Sequence, residues 1–138
     1  MKKGNTVTKV FLVLIGLAFL NVGIQAFINP QSVMDFVGVV LDNVSARNSI
    51  RAYYGGVNVA FGLFLLFGAF KMQREALILC FLYGGGFVVG RIYSILVEGT
   101  PSSFIFTWLG IELVLTVVSF VLLYQKRMVS RRALVETI

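Results

Sequence analysis

Four stretches of nearly unbroken apolar residues alternate with short polar breaks along this chain, over roughly residues 10–28, 48–70, 76–97 and 104–124. A helix needs about 20 predominantly apolar residues to cross the hydrocarbon core of a bilayer, and each stretch meets that length. The pattern predicts an all-α fold: an integral membrane four-helix bundle forming one domain over residues 1–138. The first stretch follows Lys2, Lys3 and Lys9, as a secretory signal would. Its run of about 19 uncharged residues is long for a signal-peptide core. Ile24, two before Ala26, also spoils a small-residue cleavage pattern, so the segment reads as a retained helix.

The breaks carry their own signals. Asn29-Pro30 ends the first helix, because proline supplies no N–H to a helical ladder. Pro30 to Leu41 places Val33, Phe36, Val37 and Val40 at helical spacing. A segment of about 12 residues is too short to span, and it predicts a short amphipathic, interfacial or re-entrant helix between the first and second spans. Asp42 to Asn48 reads as a polar turn, Lys71 to Glu75 as a tight hairpin loop, and Gly99 to Ser103 as a second short turn. Ser102 or Ser103 there is a candidate helix cap. After Tyr124 comes a basic tail, residues 125–138, expected to fray or to lie on the membrane surface.

Composition agrees with that pattern. Of 138 residues, 58% are hydrophobic and 13% charged, against about 25% charged in a soluble domain. The formal net charge of +6 would suit nucleic acid, but the basic residues sit in short clusters at the ends of apolar runs, as orientation signals do. We therefore expect the lipid bilayer as partner and no nucleic acid. The chain contains no histidine and one cysteine, Cys80. An intrachain disulfide, histidine-ligated haem, most zinc sites and His-based triads are excluded, and neither a cofactor nor a metal is expected. Lys2, Lys3, Lys9, Lys71, Arg74, Lys126, Arg127, Arg131 and Arg132 flank the N-terminus, the middle loop and the tail, whereas only Arg47 lies in the two alternate connections. Positive-inside logic places both termini in the cytoplasm.

The polar residues inside the spans are the candidate chemistry. Arg51, Tyr54, Gly55, Asn58 and Gly62 make one helical stripe on the second span. Gly84, Arg91, Ser94 and Glu98 make another on the third, and Trp108, Glu112, Thr116 and Ser119 a third on the fourth. Asn21 and Gln25 lie one turn apart on the first. At about 1.5 Å of rise per residue, Glu112 falls roughly 14 Å below the outer surface, near the midplane, and most of the others lie in the outer half. Arg51 and Arg91 have stems long enough to snorkel to the interface. Asn21, Gln25 and Asn58 suit interhelical hydrogen bonding as well as ligand contact, and Glu98 suits a solvated helix end. Glu112 has no such escape: a short carboxylate at that depth is paired, protonated or facing water. Arg91 is its expected partner.

Gly86 and Gly90 have GxxxG spacing, which allows close helix contact either within the chain or between copies in a homo-oligomer. Neither a strand nor GxGxxG spacing accompanies these glycines, so they form no phosphate loop. Tyr53, Tyr54 and Tyr93 fit an aromatic belt at the outer interface, and Cys80 reads as a buried thiol near the inner side.

On these residues the chain resembles a bacterial family of small membrane proteins described only as a domain of unknown function, DUF4345. The resemblance lies in Arg51-Ala52-Tyr53-Tyr54-Gly55-Gly56, in Gly90-Arg91, in Glu98-Gly99 and in Glu112-Leu113, and covers nearly all of the chain except the tail. Where members often carry an acidic residue just before the arginine, Asn48 and Ser49 stand here. The resemblance implies a four-helix membrane fold and no established activity; a more distant likeness is to DoxX-type proteins, some of them linked to quinone redox systems. The leading functional expectation is a non-catalytic membrane module, not an enzyme, with an outward-facing polar pocket for a small anionic or lipid-like ligand or a partner subunit. In it Arg51 and Arg91 supply positive charge and Glu112 balances one of them. The alternatives are a quinone-linked redox accessory protein and an oligomeric small-molecule transporter.

Overall fold

The computed structural model describes residues 5–135, with side chains through Met128; Lys2, Lys3 and the side chains of Arg131 and Arg132 lie outside the described residues. The described chain is helical without strands, and four of its helices are long and apolar enough to cross a membrane: Thr6–Ile28, Val44–Lys71, Gln73–Glu98 and Ser103–Met128. It is a multi-pass membrane protein. The chain divides into two compact units, residues 1–73 and 74–138.

In the first unit, α1 (Thr6–Ile28) begins where Asn5 Oδ1 accepts the Val7 N–H at 2.9 Å. It ends at Asn29, whose side chain turns to cap the next helix by accepting from Gln31 N at 3.2 Å. Pro30 then occupies the first turn of α2 (Pro30–Met34), where a missing N–H costs nothing. The expected 12-residue amphipathic helix is shorter than its apolar spacing suggests: α2 passes into a 3-10 turn at Asp35–Val37 and stops at Gly38, with φ +70°. A left-handed residue breaks the ladder, and Val39 and Val40 follow as exposed loop. Gln31 holds that loop in place. Its Nε2 donates to Asp35 Oδ1 at 2.6 Å and to Val39 O at 2.9 Å, and its Oε1 accepts from Leu41 N at 2.8 Å.

The second span starts earlier than the apolar run implies. Asn43 Oδ1 accepts from Ala46 N at 2.8 Å and opens α3 (Val44–Ile50), so residues placed in a polar turn are already helical. The helix continues through a π-helical segment, Arg51–Val57, into α4 (Asn58–Lys71). α1 packs antiparallel on this span through glycines seven residues apart. A Cβ on Gly62 would lie 2.8 Å from Gly16 O, one on Gly16 3.0 Å from Gly62 O, and one on Gly23 2.9 Å from Val59 N. The edge-to-face pair Phe19–Phe61, with centroids 4.6 Å apart, lies alongside. Lipid tails are as apolar as leucine, so helix association in a membrane rests on such close packing.

The predicted hairpin loop over Lys71 to Glu75 shrinks to a single non-helical residue, Met72. Gln73, which opens α5 (Gln73–Glu98), donates to Ala69 O at 2.9 Å and to Asn5 O at 3.3 Å, tying the end of α4 to the start of α1.

The second unit is the helix pair of α5 and α6 (Ser103–Val135). Gly99, with φ +97°, closes α5, and Ser102 opens α6 through its carbonyl, which accepts from Ile105 N at 3.0 Å. α6 does not end at Tyr124: it remains helical through the basic residues to Val135. Phe81 and Phe120 meet across the pair at 5.9 Å.

Candidate functional site

Gly84 sets the spacing of the second unit. A Cβ there would lie 2.6 Å from Thr116 Oγ1, 3.3 Å from Leu115 Cδ2 and 3.4 Å from Glu112 O. Thr116 Oγ1 donates back to Glu112 O at 2.7 Å, which fills the bond-back option open to a helical threonine and holds the hydroxyl toward α5. Two turns beyond Gly84, on the same face of α5, stands Arg91.

Arg91 and Glu112 meet as the sequence suggests. Nε donates to Oε2 at 2.6 Å and Nη2 to Oε1 at 2.8 Å. Such a fork-on-fork contact is the strongest geometry available to an arginine and a carboxylate. The Glu112 side chain is 9% exposed and that of Arg91 22%. Phe87, one turn back from Arg91, lies under the guanidinium at 5.9 Å, and Tyr83 meets Phe87 as a tilted pair with centroids 4.9 Å apart. An aromatic row along α5 thus leads to the ion pair, shields the cation and limits its freedom to snorkel. Chemically the pair is neutral as a whole. It leaves Glu112 with both oxygens engaged.

Arg51 belongs to a different constellation. Its Nε donates to Phe27 O, in the last turn of α1, at 3.1 Å. A cation at a helix C-terminus complements the orphan carbonyls and the negative end of the dipole. A Cβ on Gly55 would lie 3.0 Å from the Phe27 ring, so the two glycine-and-arginine ends of the RAYYG run hold one residue, its carbonyl by Arg51 and its ring against Gly55. Tyr54 is half-buried and meets Tyr53 edge-to-face at 5.5 Å. Asn58 is buried, 6% exposed.

The remaining predicted residues fall apart from these. Glu98 accepts from Ser94 Oγ within its own helix. Asn21 and Gln25 are exposed on α1. Gly86 and Gly90 face open space: a Cβ on either would meet nothing within 4 Å, and the close approach falls on Gly84 instead. Gly84→Leu is therefore expected to lower the melting temperature, whereas Gly86→Leu and Gly90→Leu leave it within the scatter of surface changes, about 0.5 kcal/mol. A change of oligomeric state in either of the latter, with stability kept, would assign them to contacts between copies. Sequence reasoning missed the π-helical form of Arg51–Val57. Single π turns inside α-helices recur at functional sites, and the only hint was the coincidence of Arg51, two tyrosines and two glycines in one short run.

The chain belongs to the family described as Domain of unknown function (DUF4345), whose model matches residues 7–123. No curated protein and no solved structure matches it.

Proposed function

We propose that this member of the DUF4345 family is a non-catalytic membrane module whose outward-facing polar residues receive a small anionic or lipid-like ligand or a partner subunit. The observation that carries the reading is the unequal state of the two arginines. Arg91 is neutralised by Glu112, whereas Arg51 is exposed and, among the described residues, commits only Nε, to a backbone carbonyl. Arg51 is thus the cation with recognition capacity to spare. Arg91 and Glu112 hold their helix pair together, and Tyr54, half-buried, and Asn58, buried, follow Arg51 along the second span.

Mass spectrometry of what survives purification tests this. An anionic small molecule or lipid retained by the wild type and lost from Arg51→Gln is the expected result. A quinone seen by absorbance instead would support the redox accessory role, and a pH-dependent flux in vesicles a transporter. The same anion retained by both proteins sinks the role given to Arg51.

The orientation in a bacterial inner membrane, with both termini cytoplasmic, rests on the charge bias of the flanks. In a Cys80→Ser background, a cysteine at Ser102 should label from the outside and one at Arg74 should not. Arg74 is the better inner probe because it is exposed, whereas Gln73 is buried and hydrogen-bonded. The opposite labelling pattern reverses the topology.

A further inference from the structure

We infer that the outer end of the second span carries a phosphate-binding fork made by Arg47 together with Arg51, so that the anionic group received there is a phosphate ester. This rests on the proposed function for the role of Arg51, and adds Arg47 and the ligand class.

Arg47 and Arg51 are four residues apart on the helix that opens at Val44, which makes them neighbours on one helix face. Both are exposed. Each is oriented by the same device: Arg47 Nε donates to Leu41 O at 3.2 Å and Arg51 Nε to Phe27 O at 3.1 Å. The two acceptor carbonyls belong to segments that are themselves pinned. Leu41 is held through its N–H by Gln31, and Phe27 lies in the last turn of α1. A guanidinium has five N–H donors, and in both arginines only Nε has a protein partner among the described residues. Two planar donor forks are therefore presented with their positions already set, which lowers the ordering cost of a ligand that bridges them.

The charges nearby do not cancel the pair. Asp35 accepts from Gln31 Nε2 and Asp42 from Asn43 Nδ2, and neither forms an ion pair with Arg47 or Arg51 among the described residues. Asn48 and Ser49, the intervening polar residues, are uncharged. The depth is also right. Arg47 and Arg51 lie about 4–11 Å along the helix from its first residue, at the same end of the span as the exposed Tyr53, and an interfacial tyrosine marks the level of lipid headgroups. A tetrahedral phosphate offers several oxygens to two forks at once, which a single carboxylate offers less well. A phospholipid headgroup and a soluble phosphate ester share this chemistry.

The test uses the full-length protein in detergent, titrated with phosphatidylglycerol, with oleate as an anion lacking phosphate, and with glycerol 3-phosphate, and read by native mass spectrometry. Phosphatidylglycerol should bind at least about tenfold more tightly than oleate. Arg47→Lys/Arg51→Lys, which keeps the charge and loses the forks, should lose at least about tenfold, the worth of one charge-assisted hydrogen bond. Lys71→Gln/Arg74→Gln, at the other membrane face, should bind as the wild type does. Competition by glycerol 3-phosphate identifies a soluble ester as the source, and its failure to compete identifies a lipid. Equal binding of oleate and phosphatidylglycerol, unchanged binding in the double lysine variant, or loss confined to Lys71→Gln/Arg74→Gln each overturns the inference. Oleate binding that depends on Arg51 alone would leave the proposed function standing and remove the phosphate.

Discussion

Glu112→Gln and Arg91→Gln should each destabilise the protein by about 3–5 kcal/mol, the usual cost of removing one partner from a buried ion pair. The reason lies in the geometry. Both oxygens of Glu112 are taken by Arg91, at 2.6 and 2.8 Å, and the carboxylate side chain is 9% exposed. Deleting either partner strands the other charge where water cannot reach it freely. The double variant should recover part of the loss, because it leaves no charge to compensate. A double-mutant cycle on unfolding in detergent measures the coupling, and additive losses would show that the two side chains act independently. Replacing Arg91 with lysine should recover only part of the wild-type stability, since an ammonium cannot make the two parallel bonds. Under the proposed function, the ion pair contributes by keeping α5 and α6 together while Arg51 remains available.

The second large effect is expected at Gly62. Gly62→Leu should cost about 3 kcal/mol or more, the upper end of what overpacking inflicts, and should lower the yield of folded protein. A Cβ at that position would sit 2.8 Å from Gly16 O and 3.0 Å from Leu20 N. These are backbone atoms of α1, which cannot rotate away as a side-chain tip can, so the two helices would have to separate along their contact. Gly16→Leu should behave similarly, because its Cβ would meet Gly62 O at 3.0 Å and Leu66 Cγ at 3.1 Å. Thermal unfolding of the two variants beside Gly56→Leu, where a Cβ meets nothing within 4 Å, provides the comparison. Equal melting temperatures for all three would show that α1 is not held at the Gly16–Gly62 crossing.

Some of this was legible before any coordinates. Four spans follow from four apolar runs, because the thickness of a bilayer dictates helix length and leaves little room for another solution. The partnership of Glu112 and Arg91 follows from the expense of a short carboxylate near the midplane and from the shortage of cations at its depth. Asn29-Pro30 and Gly99 were readable as helix ends, since each acts through its own backbone.

The rest depended on what each residue faces. Gly84, Gly85, Gly86 and Gly90 are alike in a sequence, and the helix rotation alone points Gly84 at Thr116 and leaves Gly86 and Gly90 in the open. Gly16 and Gly62 lie 46 positions apart, as the numbering shows, and no local spacing announces that they touch. Arg51 and Arg47 bond to carbonyls, and every residue has a carbonyl, so side-chain identity carries no trace of the partner. The π segment differs from an α-helix by one residue per hydrogen-bonded turn, which composition hardly registers. Apolar content and backbone chemistry, both local properties, thus determined the number of spans and the helix ends at Asn29-Pro30 and Gly99 from sequence alone. Which glycines touch and which carbonyls the arginines hold were decided by the tertiary structure, because contact between helices depends on rotation and register that no single segment encodes.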